Sequence, residues 1–267
     1  MSEMFSHAFI VRAVLTGSLV SLCCALLGVT LVLKRYSMIG DGLSHVGFGA
    51  LSVALALNVA PLSVAVPTIV IAAFLLLRLQ SKIKGDSAIA LISSTSLAIG
   101  IIATSLARGT NMNANDYLFG SIFALSNMDV YLSMGISVVT LVLFALYYNA
   151  IFAVTFDEDF ARASGVRVGS YNTLISILTA VTIVAGMKLM GTLLISSLII
   201  FPALTSMRVF RSFRGVVIFS AIIGITCFFT GILASYKLNL PIGAGVVVIN
   251  AIAFLLFTLG VKILKRR

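Results

Sequence analysis

Charge is what this sequence has least of. Only 10% of its 267 residues are Asp, Glu, Lys or Arg, and just eight are acidic. Soluble domains carry about a quarter charged residues, which excludes a sizeable soluble domain here. Cysteine is also scarce. Cys23, Cys24 and Cys227 all lie inside apolar runs, without metal-ligand spacing. That excludes a disulfide framework and leaves packing as their role. His7 and His45 are the only histidines, so there is no H-E-x-x-H motif. A nucleophile elbow and a G-x-x-x-x-G-K-[ST] loop are absent as well. The chain is therefore not expected to be an enzyme, nor to bind ATP through a P-loop of its own.

What fills the space is apolar. Sixty per cent of the residues are hydrophobic, and the mean hydropathy is +1.17. Long apolar runs of this kind are membrane spans, each needing about 20 residues. Nine candidates cover 8–33, 38–58, 61–79, 87–107, 129–152, 169–187, 190–207, 215–236 and 241–262. The sixth and seventh are separated only by "MKLMG", so a broken helix would reduce the count to eight. The fold class is all-α, one polytopic membrane domain over residues 1–267. The start, "MSEMFSHAF", has no basic n-region, so the first run is expected to stay as a span. No internal repeat, linker or low-complexity tract interrupts the pattern.

The net charge of +10 is spread over the gaps between spans rather than clustered on one face, which excludes nucleic acid as a partner. With the N-terminus outside and nine crossings, the inner gaps hold Lys34, Arg35, Arg78, Lys82, Lys84, Arg162, Arg167, Arg208, Arg211, Arg214, Lys262, Lys265, Arg266 and Arg267, which is 14 of the 18 basic residues. Arg12, Arg108, Lys188 and Lys237 remain outside, and His7 is a solvated residue near the outer N-terminus. The positive-inside rule then gives an outer N-terminus and an inner C-terminus.

Two gaps have content of their own. "NANDYLFGSIFALSNMD", 113–129, has an apolar middle of about nine residues, too short to cross. It reads either as a short helix at the outer surface or as an interfacial loop anchored by aromatics. On the inner side, "TFDEDFARASGVRVGS" matches an S/T-x-x-E capping box at Thr155 and Glu158. Asp157 and Asp159 suit a helix N-terminus, and Gly165 a C′ stop. A helix of two to three turns is expected, with Phe156 and Phe160 projecting on one side. It either rests on lipid or docks a soluble partner; its acidic residues favour the partner, because the inner leaflet is itself anionic.

The strongest signal is "MIGDGLSHVGFGAL", from Met38. Asp41 and His45 stand four apart, on one helix face and about 6 Å apart along the axis. Ionisable groups at membrane depth cost a few kcal/mol and mark substrate or ion paths by default. A carboxylate and an imidazole are ordinary ligands of Zn²⁺ and also suit Mn²⁺. The alternative is an Asp–His clamp between two helices. Gly40, Gly42, Gly47 and Gly49 point to close helix packing around the pair, a dimer axis being one place for it. Further on, Pro202 breaks the backbone ladder of a span in which Ser196, Ser197, Thr205 and Ser206 can rebond freed carbonyls. This is a kink beside a moving path or one needed for packing.

"LLGVTLVLKRYSMIGDGLSHVGFGAL", "YLFGSIFALSNMDV", "FDEDFARASGVRVG" and "MGTLLISSLIIFPALTSMRV" occur in that order. Together they resemble the membrane permease subunit of bacterial ABC importers for zinc, manganese or iron, over nearly the whole chain. The resemblance implies a fold similar to type II importer permeases, related to the vitamin B12 and siderophore importers. It implies a homodimer in the cytoplasmic membrane, with ATP-binding-cassette ATPase subunits below and a metal-binding lipoprotein or periplasmic protein above. Carried over, Asp41 and His45 are the metal pathway residues. Phe156, Asp157, Glu158, Phe160, Ala161 and Gly165 belong to the coupling helix, and Tyr117, Phe119 and Gly120 lie near the outer gate. Many manganese-type members continue the histidine motif with L-P-G; here "VGFGAL" follows, which leans toward zinc. Two ligands per chain make an incomplete site, and a two-fold axis would double them to two Asp and two His, enough for tetrahedral Zn²⁺. The competing readings are a proton-coupled secondary transporter relaying through Asp41 and His45, and an intramembrane enzyme, for which the chain is poor in polar residues.

Overall fold

A computed structural model of the chain describes residues 8–79, 85–106, 127–238 and 240–264. Every regular element among them is an α-helix: α1 Ala8–Leu33, α2 Ile39–Ala56, α3 Pro61–Leu79, α4 Gly85–Leu106, α5 Asn127–Leu146, α6 Tyr148–Phe156, α7 Glu158–Ala163, α8 Val168–Val209, α9 Phe213–Leu238 and α10 Ile242–Leu264. Among the described residues, eight segments are long and apolar enough to cross a membrane. The ninth candidate is α3, whose apolar stretch, Ser63–Leu76, is shorter than the rest. At about 1.5 Å per residue its 19 residues still reach about 28 Å, close to the ~30 Å hydrocarbon thickness.

α8 is the hub of the bundle, packing on α1, α2, α3, α5, α9 and α10. Its 42 residues are two helices meeting at Gly191, where φ is 77° and ψ 163°. A left-handed φ of this kind is where glycine carries no Cβ penalty. A Cβ on Gly186 would overlap the side chain of Ile195. Residues nine apart in a continuous helix lie about 13 Å apart, so this contact requires the chain to bend back at Gly191. The "MKLMG" stretch is thus a corner between two spans, Val168–Met187 and Leu189–Val209. Pro202, by contrast, keeps helical φ and ψ. The nearby hydroxyls bond their own preceding turn, Ser206 Oγ donating to Pro202 O and Thr205 Oγ1 to Phe201 O, both at 2.7 Å.

Between spans, hydroxyls stitch helix to helix. Ser21 Oγ donates to Gly224 O, and Ser220 Oγ to Ala25 O, tying α1 to α9 reciprocally. Ser133 Oγ donates to Ala185 O, tying α5 to α8. In lipid, association rests on such bonds and on close packing of small residues rather than on apolar burial. The three cysteines are free and buried.

The two corners that matter below end alike. α1 closes with Tyr36 N–H on Leu31 O and Arg35 N–H on Val32 O, and α7 with Val166 N–H on Ala161 O and Gly165 N–H on Arg162 O. Both are Schellman caps with the C′ residue left-handed, Arg35 at φ 62° and Gly165 at φ 83°. Gly165 is the expected stop. Arg35 holds a conformation that costs a side-chain-bearing residue about 1 kcal/mol.

Candidate metal pathway site

Asp41 and His45 lie in the first two turns of α2. Asp41 Oδ2 is 3.6 Å from His45 Nε2, with side chains 40% and 24% exposed. That distance is beyond a direct hydrogen bond, so the pair faces one another without locking. Ser196, from the second half of α8, brings its hydroxyl 3.4 Å from Asp41 Oδ1 while also reaching Thr192 O at 3.3 Å. His45 Nδ1 is buried and has no protein partner. An unsatisfied buried polar atom asks for an explanation, and an open coordination position is one. Among the described residues no group of three or more His, Cys, Asp or Glu converges. Ser196 is seven residues into the Leu189–Val209 span, about 10 Å from its Leu189 end, so the cluster lies away from the ends of that span.

The packing that places the cluster is made by glycines. A Cβ on Gly28 of α1 would overlap the carbonyl of Ile199, and one on Gly40 would lie 2.8 Å from the Ile199 side chain. α8 is therefore seated against both α1 and α2 at the level of Asp41. Gly42 meets Ile89, Gly47 meets Met187 and Ile69, and Gly49 meets the backbone of Ser96. All four glycines flanking the pair are thus used for packing within the chain. One turn beyond His45, a cavity of about 170 Å³ is lined by Val46, Gly49, Ala50 and Val53 of α2, Val64 and Thr68 of α3, and Ser96 and Ile99 of α4.

The Thr155–Gly165 segment differs from its expected form. The helix cap is Asp157, whose carboxylate accepts the N–H groups of Asp159 and Phe160 at 3.0 and 2.9 Å. Thr155 is still inside α6 and donates its hydroxyl to Ile151 O, so it cannot cap. Glu158 turns away from the box and accepts from Lys34 Nζ at 2.6 Å and Asn172 Nδ2 at 3.1 Å. The helix is correspondingly six residues long, shorter than expected. Phe160 is exposed on α7; Phe156, also exposed, ends α6 and packs against the rings of Phe152 and Phe213. Ala161 is buried under the segment. Burial alone would push the Glu158 carboxyl up. Hydrogen bonds from Lys34 and Asn172, with the charges of Lys34 and Arg162, outweigh it and hold Glu158 below the ordinary carboxylate range. Tyr117, Phe119 and Gly120 lie outside the described residues.

Sequence reading missed two contacts. Ser196, expected to serve backbone carbonyls, reaches Thr192 O and also meets Asp41. The Lys34–Glu158 tie joins residues 124 apart; its one signal in the sequence is a basic pair, Lys34 and Arg35, at the end of a span in a chain with only eight acidic residues.

Comparison with known proteins places the chain. It matches the ABC 3 transport family over residues 6–260. The chain belongs to that family, and its motif resemblance to the permeases of zinc, manganese and iron ABC importers is borne out. It is 27% identical to the manganese import system permease protein ScaB of Streptococcus gordonii, over 92% of this chain and 89% of that protein. To the high-affinity zinc uptake system membrane protein ZnuB of Haemophilus influenzae it is 29% identical, over 91% of this chain and 94% of that protein. The solved structure of PsaBC from Streptococcus pneumoniae in complex with Fab is similar with a TM-score of 0.85 at 27% identity, covering 96% of this chain and 93% of that chain.

Proposed function

We propose that this chain is the permease subunit of an ATP-driven importer that moves a divalent transition metal ion, zinc in preference to manganese, across the bacterial cytoplasmic membrane. The observation that carries the reading is the Asp41–His45 pair with Ser196 beside it, half-buried among apolar helices and loosely spaced. A transport site must bind firmly enough to admit the ion and loosely enough to release it. One carboxylate and one imidazole per chain are half of a tetrahedral Zn²⁺ set, and a second copy supplies the other half. α4, which packs on α2 beside His45, is only 11% buried by its own chain, which leaves it free to face that copy. The cavity above His45 is the approach from outside. "VGFGAL" after the histidine favours zinc.

The remaining assignments follow from this reading. The segment Phe156 to Gly165 is the coupling helix, offering Phe160 to a partner ATPase, which carries the ATP site. Pro202, which leaves the amide ladder of the second half of α8 one donor short, is the point at which that helix can flex beside the path, and Tyr117, Phe119 and Gly120 form the outer gate. A metal-binding protein docks outside, the N-terminus is outside and the C-terminus inside. Membership in an ABC family is what favours this over a proton-coupled relay.

The test is uptake of radioactive zinc and manganese by proteoliposomes holding the permease with its partner ATPase, supplied with the metal-binding protein. ATP-dependent uptake of both is expected, with unlabelled zinc suppressing manganese entry more than the reverse. Uptake driven by a proton gradient without the ATPase would contradict the importer; manganese uptake indifferent to zinc would contradict the metal.

A further inference from the structure

The metal pair and the coupling segment are joined by a built connection. Lys34, the residue that follows α1, is buried, its side chain only 6% exposed. Its ammonium donates to Val154 O of α6 at 2.9 Å and to Glu158 Oε1 of α7 at 2.6 Å. The same Glu158 oxygen takes the Asn172 amide from the start of α8. One carboxylate on the coupling segment thus holds both helices that lead to the metal pair: α8, whose far half carries Ser196, and the corner that leads into α2.

That corner is not slack. From Lys34 to Asp41 the backbone is pinned by Lys34 N–H on Thr30 O, Arg35 N–H on Val32 O, Tyr36 N–H on Leu31 O and Ile39 N–H on Tyr36 O, with Gly42 N–H on Met38 O locking the next turn. Asp41 follows Lys34 by seven residues, with Ser37 and Met38 enclosed by the Tyr36–Ile39 turn between the bonded positions. A shift of α7 that pulls on Glu158 therefore moves the end of α1 and the start of α2 together. A buried ammonium must keep its counter-charge, which makes the tie obligatory rather than optional.

We infer that Lys34 and Glu158 are positioning residues for transport: their ion pair is the strut through which movement of the coupling helix reaches Asp41 and His45. This rests on the importer reading above. Asn172 steadies the Glu158 end of the strut, and Arg35, held left-handed, shapes the corner.

Charge reversal in the complete transporter tests it. Lys34→Glu, Glu158→Lys and the double reversal are each reconstituted with the partner ATPase. Zinc uptake, ATP hydrolysis and zinc binding to the permease are measured for each. Each single reversal is expected to lower zinc taken up per ATP hydrolysed by about tenfold. Zinc binding should stay within about twofold, and the double reversal, which restores the ion pair but not the bonds to Val154 O and Asn172, should recover part of the ratio. If the single variants fail to assemble, Glu158→Gln, which keeps an acceptor oxygen for Lys34, serves instead and should lower the same ratio by about threefold. The inference is overturned if Glu158→Gln or assembled single reversals keep the wild-type ratio, or if zinc binding falls in step with uptake. A double reversal that assembles without recovery also overturns it. Absence of ATP-dependent uptake by the wild-type complex would instead defeat the importer reading.

Discussion

Asp157 satisfies two of the N–H groups that open α7, and nothing else does so for them. A six-residue helix has little propensity to form alone, so its end groups decide whether it stands. Asp157→Ala should cost about 1 kcal/mol locally, raising amide exchange at Phe160 by about fivefold, while Asp157→Asn should change it little. Thr155→Val should leave exchange at Phe160 unaltered, because the Thr155 hydroxyl serves Ile151 O in the preceding helix. The opposite pattern would restore the capping box expected from sequence. The error has a plain origin: Thr-Phe-Asp-Glu offers two cap candidates two residues apart, and only the three-dimensional course of α6 shows that the chain is still helical at Thr155. Once Asp157 caps, Glu158 is free to meet Lys34, a consequence that local sequence does not contain.

Packing between elements hangs on a few contacts without side chains. Gly28 lies against the Ile199 carbonyl, backbone on backbone, and neither side can yield. Gly28→Ala should destabilise the detergent-solubilised permease by about 1–3 kcal/mol, seen as a lower thermal midpoint. Gly135→Ala, on α5 with nothing within 4 Å, should be neutral or slightly stabilising. The spans themselves were legible because crossing lipid demands about 20 apolar residues, and that demand is written directly in composition. Asp41 and His45 were legible for the same reason, as exceptions to it. The partners of the glycines were not. Gly40, Gly42, Gly47 and Gly49 suggest close approach, but which helix approaches depends on tertiary arrangement, and it is the chain's own α8, α4 and α3. Composition predicts one span over 129–152, yet α5 gives way to α6 at Tyr147, where φ is −98° and ψ 14°, with no Pro or Gly to announce it. Gly191 was within the expected junction, but whether "MKLMG" bends back or runs straight rests on a single positive φ.

For the whole molecule, the proposed orientation puts α7 in the cytoplasm and the start of α5 outside. The native cysteines are buried, Cys23 and Cys24 fully, so single cysteines at exposed positions will report cleanly. In intact cells an impermeant maleimide should label Asn127→Cys and spare Arg162→Cys until the membrane is opened. The reverse would invert the topology and the positive-inside argument with it. The central claim is that Asp41 and His45 line the path and bind the ion in transit. It is tested most directly by radioactive zinc and manganese uptake into cells carrying the complete importer with Asp41→Ala or His45→Ala, measured beside membrane abundance of the permease. Because both side chains are partly open and loosely paired, each variant should insert and hold its ATPase as the wild type does, and lose uptake of both metals. Near-normal uptake by well-expressed variants, or loss of folded permease with transport surviving in what remains, would contradict the pathway assignment and leave the pair as a structural clamp.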